Sequence, residues 1–210
     1  MLYDKDIREP LFDFLEEAYG KLRIIEEKQV GKSRADIVMV LPGLLTGIEI
    51  KSDADSYVRL SRQVKDYDRF FDRNMVVAGS SHAAHVREHV PGWWGIITVE
   101  QNDREIDFYV LRQLQENPMM NWKRKLSLLW RPELAHIQEL TAMPRYKEKS
   151  KAFVIEKILA KVPGEQLSVL VSEELFERDY TRIEEVIRAY KIQNRPELKG
   201  RTGKRKRRRP

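Results

Sequence analysis

The chain contains no cysteine among its 210 residues. Disulfide bonds and thiolate metal sites are therefore excluded, and this composition suits a reducing compartment. Long hydrophobic runs are also missing, and residues 1–6 lack the basic and then apolar pattern of a secretion signal. These absences predict a soluble, cytoplasmic protein with no membrane partner.

Positive charge is concentrated at the C-terminal end. The net charge is +6, yet residues 201–210 alone carry seven positive charges, so residues 1–200 have a net charge of −1. The segment 199–210 lacks apolar residues and is predicted to be a disordered basic tail. It would bind the phosphates of DNA through salt-sensitive contacts, with a merely solubilising end as the alternative. The candidate DNA-binding residues are Arg205, Lys206, Arg207 and Arg208.

Two stretches of β-forming residues contain acidic side chains, 34–40 and 47–51, and a Pro-Gly pair lies between them. Pro and Gly together favour a reversal of the chain. A hairpin centred on that pair joins positions whose numbers add up to 85, which places Asp36 opposite Glu49. Lys51 then shares the face of Glu49, because side chains alternate along a strand. An exposed hairpin with a surface ion pair is the alternative interpretation.

Two carboxylates beside an ammonium group suit the hydrolysis of a phosphodiester. Carboxylate oxygens are hard ligands for Mg²⁺ or Mn²⁺, and such an ion polarises a phosphoryl group and lowers the pKa of a bound water. Asp36 and Glu49 are the predicted ligands, with the backbone carbonyl of Ile50 as a further oxygen. Lys51 is predicted to orient the water or to offset developing charge. The predicted catalytic residues are therefore Asp36, Glu49 and Lys51.

The spacing of Asp36 and Glu49-Ile50-Lys51 resembles the signature of the PD-(D/E)-x-K nuclease superfamily, although Ala35 stands where that signature has proline. A larger set of motifs resembles the sce7726-like family of bacterial proteins, over roughly residues 1–160. These motifs are Arg34-Ala35-Asp36, Glu49-Ile50-Lys51-Ser52-Asp53, Arg59-Leu60, Gln63 and Trp93-Trp94-Gly95. The resemblance implies an α/β, restriction-endonuclease-like fold with a three-layer core, in which helices flank a mixed β-sheet. It also implies magnesium-dependent cleavage of DNA.

Three further residues are candidates for accessory roles at this site. Gln63 lies four positions before Tyr67 on a predicted helix, and this pair resembles one that some superfamily members place beside the metal. Tyr67 also fits the apolar stripe of the helix and is predicted to be a core residue. Glu9 on the first helix and Glu27 on the first strand are acids that could complete the metal coordination. A solvated acidic surface is the alternative for both acids.

The hydrophobic pattern predicts alternating strands and helices. Strands are predicted at 21–30, 75–79, 94–99 and 106–111 besides the hairpin, and helices at 4–18, 54–71, 122–140, 151–161 and 172–190. A further helix would begin at Ser80 or Ser81 and end before Pro91, and Pro10 predicts that the regular part of the first helix begins only near Glu9.

The domain division follows from this pattern. Residues 1–116 are predicted to form a nuclease-like domain, 117–198 a helical C-terminal extension and 199–210 the basic tail. The apolar residues at 126–130 suggest contact with a second copy of the chain or with another protein, and packing on the nuclease-like domain is the alternative.

The predicted function is a metal-dependent nuclease that hydrolyses the phosphodiester bonds of DNA. A non-catalytic DNA-binding or protein-interaction module on a nuclease fold is the alternative. The presence of Asp36, Glu49 and Lys51 together favours catalysis.

Overall fold

The computed structural model describes residues 1–102 and 105–179, together with residues 185, 189, 190, 192 and 193. The predicted DNA-binding residues Arg205, Lys206, Arg207 and Arg208 lie outside this part of the chain. The strands are β1 (Arg23–Val30), β2 (Ser33–Leu41), β3 (Leu44–Lys51), β4 (Arg73–Gly79), β5 (Gly95–Asn102) and β6 (Glu105–Arg112). The α-helices are α1 (Asp4–Tyr19), α2 (Leu60–Phe70), α3 (Trp122–Ser127), α4 (Arg131–Leu140), α5 (Lys151–Lys161) and α6 (Gly164–Phe176).

The strands form one six-stranded mixed sheet, in which their spatial order is their order in the sequence. β1, β2 and β3 are antiparallel to one another, and β5 is antiparallel to β6. β3, β4 and β5 are parallel, and α2 is the crossover that a parallel pair requires between β3 and β4. The chain is therefore an α/β protein with a mixed sheet flanked by helices, as the sequence predicts.

The β2–β3 hairpin has the predicted register. Ile37 pairs with Ile48 and Leu41 pairs with Leu44, so the numbers of partner residues add up to 85. Pro and Gly fill the two-residue turn, and Gly43 has a φ of 72°, a left-handed conformation that glycine adopts at little cost. The register therefore brings the acidic positions of the two strands to the same end of the hairpin.

The sheet separates two hydrophobic cores. On one side, Ile7, Leu11 and Leu15 of α1 are fully buried in a core that includes Ile48 and Ile50 of β3. The other side carries α2 and the C-terminal helices, whose apolar residues share a second core with β2, β3 and β4. Since side chains alternate along β3, Glu49 and Lys51 lie on the α2 side of the sheet.

The helices α3 to α6 pack on the sheet rather than standing apart from it. Leu126, Leu128 and Leu129 are all buried in the core that also contains Val38 and Val40 of β2. For these leucines the structure favours packing over a partner surface. The division at residue 116 stays a prediction. Among the described residues, no helix combines the length and the apolar character that crossing a bilayer requires.

The first helix begins earlier than Pro10 suggests. α1 starts at Asp4 and continues through Pro10 to Tyr19, so the prediction of a start near Glu9 was wrong. Proline removes one backbone hydrogen bond from a helix interior. Burial of the apolar stripe of α1 on the sheet offsets that loss.

Several predicted helix boundaries were also wrong. The segment after Ser80 forms only a 3₁₀ turn at Val86–Glu88, and another 3₁₀ turn at Tyr57–Arg59 precedes α2. The predicted helix at 122–140 is divided into α3 and α4, because a new helix begins at Arg131 with proline in its first turn. The helix predicted from residue 172 instead begins at Gly164, directly after a proline.

Gly47 of β3 is expected to be essential for the contact between the sheet and α2. A Cβ atom at this position would overlap Phe71 Cδ2 and lie 2.7 Å from Tyr67 Cδ1. We expect Gly47→Ala to lower the free energy of unfolding by about 1–3 kcal/mol, because buried rings cannot move aside without strain. Gly92→Ala is the matched control, since nothing lies within 4 Å of its added Cβ. Urea unfolding compares the two, and equal stability would contradict the expectation.

Candidate active site

A cleft of about 530 Å³ lies where α1, the start of β2, the end of β3 and the start of α2 meet. Asp36, Glu49, Ile50, Lys51 and Gln63 all line it. The structure therefore brings the three predicted catalytic residues to one place, together with the predicted carbonyl donor and one predicted accessory residue.

Glu49 is held by hydrogen bonds to both of its carboxylate oxygens. Oε1 accepts from Lys51 Nζ at 2.6 Å and from Gln63 Nε2 at 2.5 Å, and Oε2 accepts from the Tyr67 hydroxyl at 2.7 Å. Glu49 is 1% exposed and Lys51 is 2% exposed. Lys51 Nζ also lies 3.3 Å from Gln63 Oε1. A buried charge without partners costs several kcal/mol, so these bonds are what permits the ion pair.

Asp36 lies at an irregular point of the sheet. The β1–β2 pairing is continuous except that it skips Glu27 and Asp36, and Glu27 has a φ of 54°, which is uncommon for a residue other than glycine. The Asp36 N–H donates to the Tyr67 hydroxyl at 3.1 Å, and Asp36 Oδ2 accepts from the Ile50 N–H at 2.8 Å. The Asp36 side chain therefore crosses to the backbone that connects Glu49 and Lys51.

The pKa of Asp36 is raised to about 7, first by burial and then by the negative charge of Glu49. The Ile50 N–H and the Lys51 charge oppose this rise without cancelling it. The negative charge of Glu49 thus disfavours ionisation of Asp36, and a cation bound beside Asp36 would favour its ionised form. The carboxylates of Asp36 and Glu49 and the carbonyl of Ile50 would offer a metal ion oxygen ligands only.

This donor set fits Mg²⁺ or Mn²⁺. Mg²⁺ in proteins is usually held by one or two carboxylates and retains several waters. Within the described ranges, no group of three or more His, Asp or Glu side chains is arranged as a fuller protein cage. Asp36 and Glu49 are the carboxylates that could hold such an ion.

Tyr67 belongs to the site as well as to the core, although the sequence favoured the core alone. Its prediction as a core residue is confirmed, because the side chain is fully buried. Its hydroxyl nevertheless contacts both Glu49 and Asp36. Burial raises the pKa of Tyr67, and the charges of Glu49 and Asp36 raise it further, so the hydroxyl stays protonated and remains a donor. Its spacing from Gln63 was the signal in the sequence.

The predicted upstream acids have different positions. Glu9 is exposed on α1 and is not among the described residues that line the cleft, whereas Asp4 and Arg8 are. Asp4 and Arg8 are four residues apart and so share a side of the helix. Glu9 is five residues after Asp4, which turns it about 140° away from Asp4 around the helix axis. Glu27 does line the cleft, but its carboxylate lies 2.7 Å from Arg8 Nη2 and 2.5 Å from Arg34 Nε. Glu27 is therefore engaged by two arginines.

Arg8 connects α1 to the acidic side of the cleft. Its guanidinium contacts Asp4 at 2.7 Å, Glu26 at 2.9 Å and Glu27 at 2.7 Å, and Nη1 lies 3.4 Å from the carbonyl oxygen of Asp36. Burial lowers the pKa of Arg8, but these carboxylates raise it overall, so the group stays charged. Arg8 thus neutralises acids that would otherwise add to the negative potential at Asp36.

Replacing Asp36 by Asn is expected to stabilise the metal-free protein at alkaline pH. The pKa of Asp36 is about 7 when folded, against an ordinary value of 3.8, so the folded state resists ionisation of this group. The contribution of Asp36 to the stability of the parent protein therefore falls as the pH rises from about 4 to 7, and its full cost is present above 7. At pH 8 in EDTA, Asp36→Asn should gain on the order of 2–4 kcal/mol, and the gain should vanish near pH 4.

Chemical unfolding at the two pH values measures this difference. Asp13→Asn is the control, because Asp13 is exposed on α1 and should show no such gain. A variant at Asp36 that is no more stable than its parent at pH 8 would contradict the assigned environment.

Comparisons with known proteins identify the family of the chain. Protein cII of Enterobacteria phage P4 is 28% identical over 101 residues, which is 48% of this chain and 38% of that protein. The chain therefore matches about two fifths of the length of that relative. A solved structure of SfsA from Pyrococcus furiosus in complex with Ca²⁺ has a TM-score of 0.34 and 17% identity, covering 52% of this chain and 62% of that one. The family model described as bacteriophage P4 protein cII matches residues 1–195, and the chain therefore belongs to the bacteriophage P4 protein cII family.

Proposed function

We propose that this protein is a metal-dependent nuclease that hydrolyses the phosphodiester bonds of DNA, with Mg²⁺ or Mn²⁺ as its cofactor. The observation that carries the proposal is the convergence of Asp36, Glu49 and Lys51 in one cleft. The resemblance of these residues to the PD-(D/E)-x-K superfamily, and of their surroundings to the sce7726-like family, supports it. On this proposal, the mixed sheet with its flanking helices is a restriction-endonuclease-like core.

Asp36 and Glu49 would hold the ion, with the carbonyl of Ile50 as a further donor. When bound, a divalent ion supplies Lewis acidity to the phosphoryl group and makes a coordinated water more acidic. The raised pKa of Asp36 means that ion binding competes with a proton near neutral pH, because the carboxylate must be ionised to act as a ligand.

Lys51 places a positive charge beside Glu49 at the base of the cleft. An ammonium group there can donate to a water or to a phosphate oxygen, and it offsets the negative charge that builds up during the displacement. Gln63 contacts both Lys51 and Glu49, and so it fixes their relative orientation. Tyr67 restrains the second oxygen of Glu49. Gln63 and Tyr67 are therefore positioning residues on this proposal.

DNA is the proposed partner, and the basic tail is proposed to contribute to its capture. Residues 201–210 carry seven positive charges, whereas residues 1–200 have a net charge of −1. Arg205, Lys206, Arg207 and Arg208 would contact phosphates without reading sequence. The cytoplasm is the proposed location, since the chain needs no oxidising environment.

A non-catalytic DNA-binding or protein-interaction module is the second candidate. The observation that favours it is that both oxygens of Glu49 already accept hydrogen bonds from protein donors. A metal ion must then share or displace at least one of these contacts. Binding of DNA without cleavage under any divalent ion would support this candidate over the nuclease.

Lys51→Met is the first test of the nuclease. Met has a similar length without the charge, so cleavage in single-turnover assays should fall by about 100-fold or more. Affinity for DNA should change little, because Lys51 is one cation at the base of the cleft. Lys65→Met, at an exposed position of α2, is the matched control. Parental cleavage rates in Lys51→Met would refute the assigned role.

Loss of the Lys51 charge leaves Glu49 buried without its counter-ion, and this could unfold the variant. The double variant Glu49→Gln/Lys51→Met removes both charges and should recover the thermal stability, while cleavage stays absent. A double variant that is folded and still cleaves DNA would contradict the mechanism.

The dependence on the ion is a separate prediction. Mg²⁺ and Mn²⁺ should support cleavage of duplex DNA, and Ca²⁺ should bind without turnover, because its looser geometry positions a water less well. Thermal melting with each ion reports binding, and gel assays report cleavage. Activity that survives EDTA would rule out the proposed cofactor.

A further inference from the structure

The cleft has a second set of charged residues besides the candidate active site. Six basic side chains line it: Arg8, Lys32, Arg34, Lys51, Arg59 and Arg62. Arg8, Arg34 and Lys51 each pair with carboxylates. Lys32, Arg59 and Arg62 are exposed, and within the described residues none of these three forms an ion pair. Three cations of the cleft lining are therefore exposed and outside any ion pair of the described residues, although Asp55 also lines the cleft.

These three cations follow one edge of the cleft. Arg59 ends the 3₁₀ turn that precedes α2, and Arg62 lies three residues on in the first turn of α2, so both lie on the same side of this continuous stretch. Lys32 lies in the β1–β2 turn, and its N–H donates to Asp66 Oδ2 at 3.1 Å. Ser33 Oγ donates to the same oxygen at 2.7 Å. The turn is thus fastened to α2 one helical turn beyond Arg62.

The length of this edge suits a nucleic-acid backbone. Residues 59 to 66 span about 10 Å along a helix axis, which corresponds to roughly three nucleotides of one strand of a duplex. We name Lys32, Arg59 and Arg62 the basic edge. It borders the same cleft as Asp36 and Glu49, so a strand bound along it would bring its phosphates to the carboxylates.

The lining of the cleft offers little that could contact a base. It includes no aromatic side chain in the part of the chain that the structure describes. Its two amides are already engaged, since Gln63 contacts Glu49 and Lys51, and Gln29 Nε2 donates to the carbonyl of Gly31. Single-stranded nucleic acid is usually bound by stacking its bases on aromatic rings. The cleft therefore suits a ligand whose bases are stacked within a duplex.

We propose that the basic edge binds the phosphodiester backbone of duplex DNA without reading its sequence. The proposal rests on the proposed function for the meaning of this contact, namely that the bound strand is the one to be cut. The contact itself is a binding site, and it is measurable without any cleavage.

The test compares two double variants in α2 and the 3₁₀ turn that precedes it. Arg59→Ala/Arg62→Ala removes two charges from the basic edge, and Lys65→Ala/Arg69→Ala removes two exposed charges of α2 that do not line the cleft. Binding of a labelled 30-base-pair duplex is followed by fluorescence anisotropy in EDTA, over a range of salt concentrations. All variants keep residues 201–210, so the contribution of the tail is common to all of them.

We expect Arg59→Ala/Arg62→Ala to weaken binding by about tenfold or more at moderate salt. The slope of log affinity against log salt should fall by about 1.8, since each phosphate contact contributes about 0.9 for duplex DNA. Lys65→Ala/Arg69→Ala should stay within about twofold of the parent. Lys32→Ala should weaken binding by a smaller amount than the double variant. Circular dichroism and thermal melting should be unchanged in all of them, because the replaced side chains are exposed.

Two outcomes would overturn the proposal. Equal losses in both double variants would mean that only overall charge matters. Tighter binding of a 30-nucleotide single strand than of the duplex would mean that the backbone of a duplex is not the ligand.

The outcome for the nuclease is separate. If the parent protein binds duplex DNA through the basic edge but cleaves nothing with Mg²⁺ or Mn²⁺, the basic edge stands and the proposed enzyme falls. If the parent protein cleaves and Arg59→Ala/Arg62→Ala neither binds more weakly nor raises KM, the basic edge falls and the enzyme stands.

Discussion

The buried ion pair between Lys51 and Glu49 is the interaction on which the cleft depends. Charges that are 2% and 1% exposed persist only when both groups are hydrogen bonded. Gln63 and Tyr67 of α2 supply those bonds. The helix must therefore pack on β3 with the side that carries these two residues facing the strand. Gly47 permits that close approach, since any side chain there would meet the rings of Tyr67 in α2 and of Phe71 directly after it. The packing of α2 on β3 therefore also determines the geometry of the Glu49 carboxylate.

The hairpin was predictable because its determinants are local. A Pro-Gly turn fixes the centre of the register, and alternation along the strands then decides which side chains share a face. The observed pairing of Ile37 with Ile48 follows this pattern. These two rules place Glu49 and Lys51 on one face and bring Asp36 to the same end of the hairpin. The regular pairing stops at Ile37 and Ile48, however, so Asp36 does not pair with Glu49 as predicted, and the irregularity at Glu27 and Asp36 instead lets the Asp36 side chain accept from the Ile50 N–H.

Other parts of the site depend on contacts that no local pattern encodes. Arg8 meets Glu26 and Glu27 across 18 and 19 residues, and whether Asp4 or Glu9 faces the cleft depends on how α1 is rotated against the sheet. Helix ends were poorly predicted for a related reason. Tertiary burial kept α1 intact through Pro10, whereas α3 and α4 are separate although the apolar pattern runs through both.

Tyr67 belongs to the hydrophobic core and to the candidate active site at once. Its ring packs 5.5 Å from the rings of both Phe71 and Trp94, while its hydroxyl holds Glu49 and Asp36. Sequence drift at those two core positions is therefore not neutral for the cleft. A substitution at Phe71 or Trp94 that tilts the tyrosine ring would also move the hydroxyl that contacts Glu49 and Asp36. Sequence changes among the core residues around Tyr67 are consequently constrained by the chemistry of the cleft.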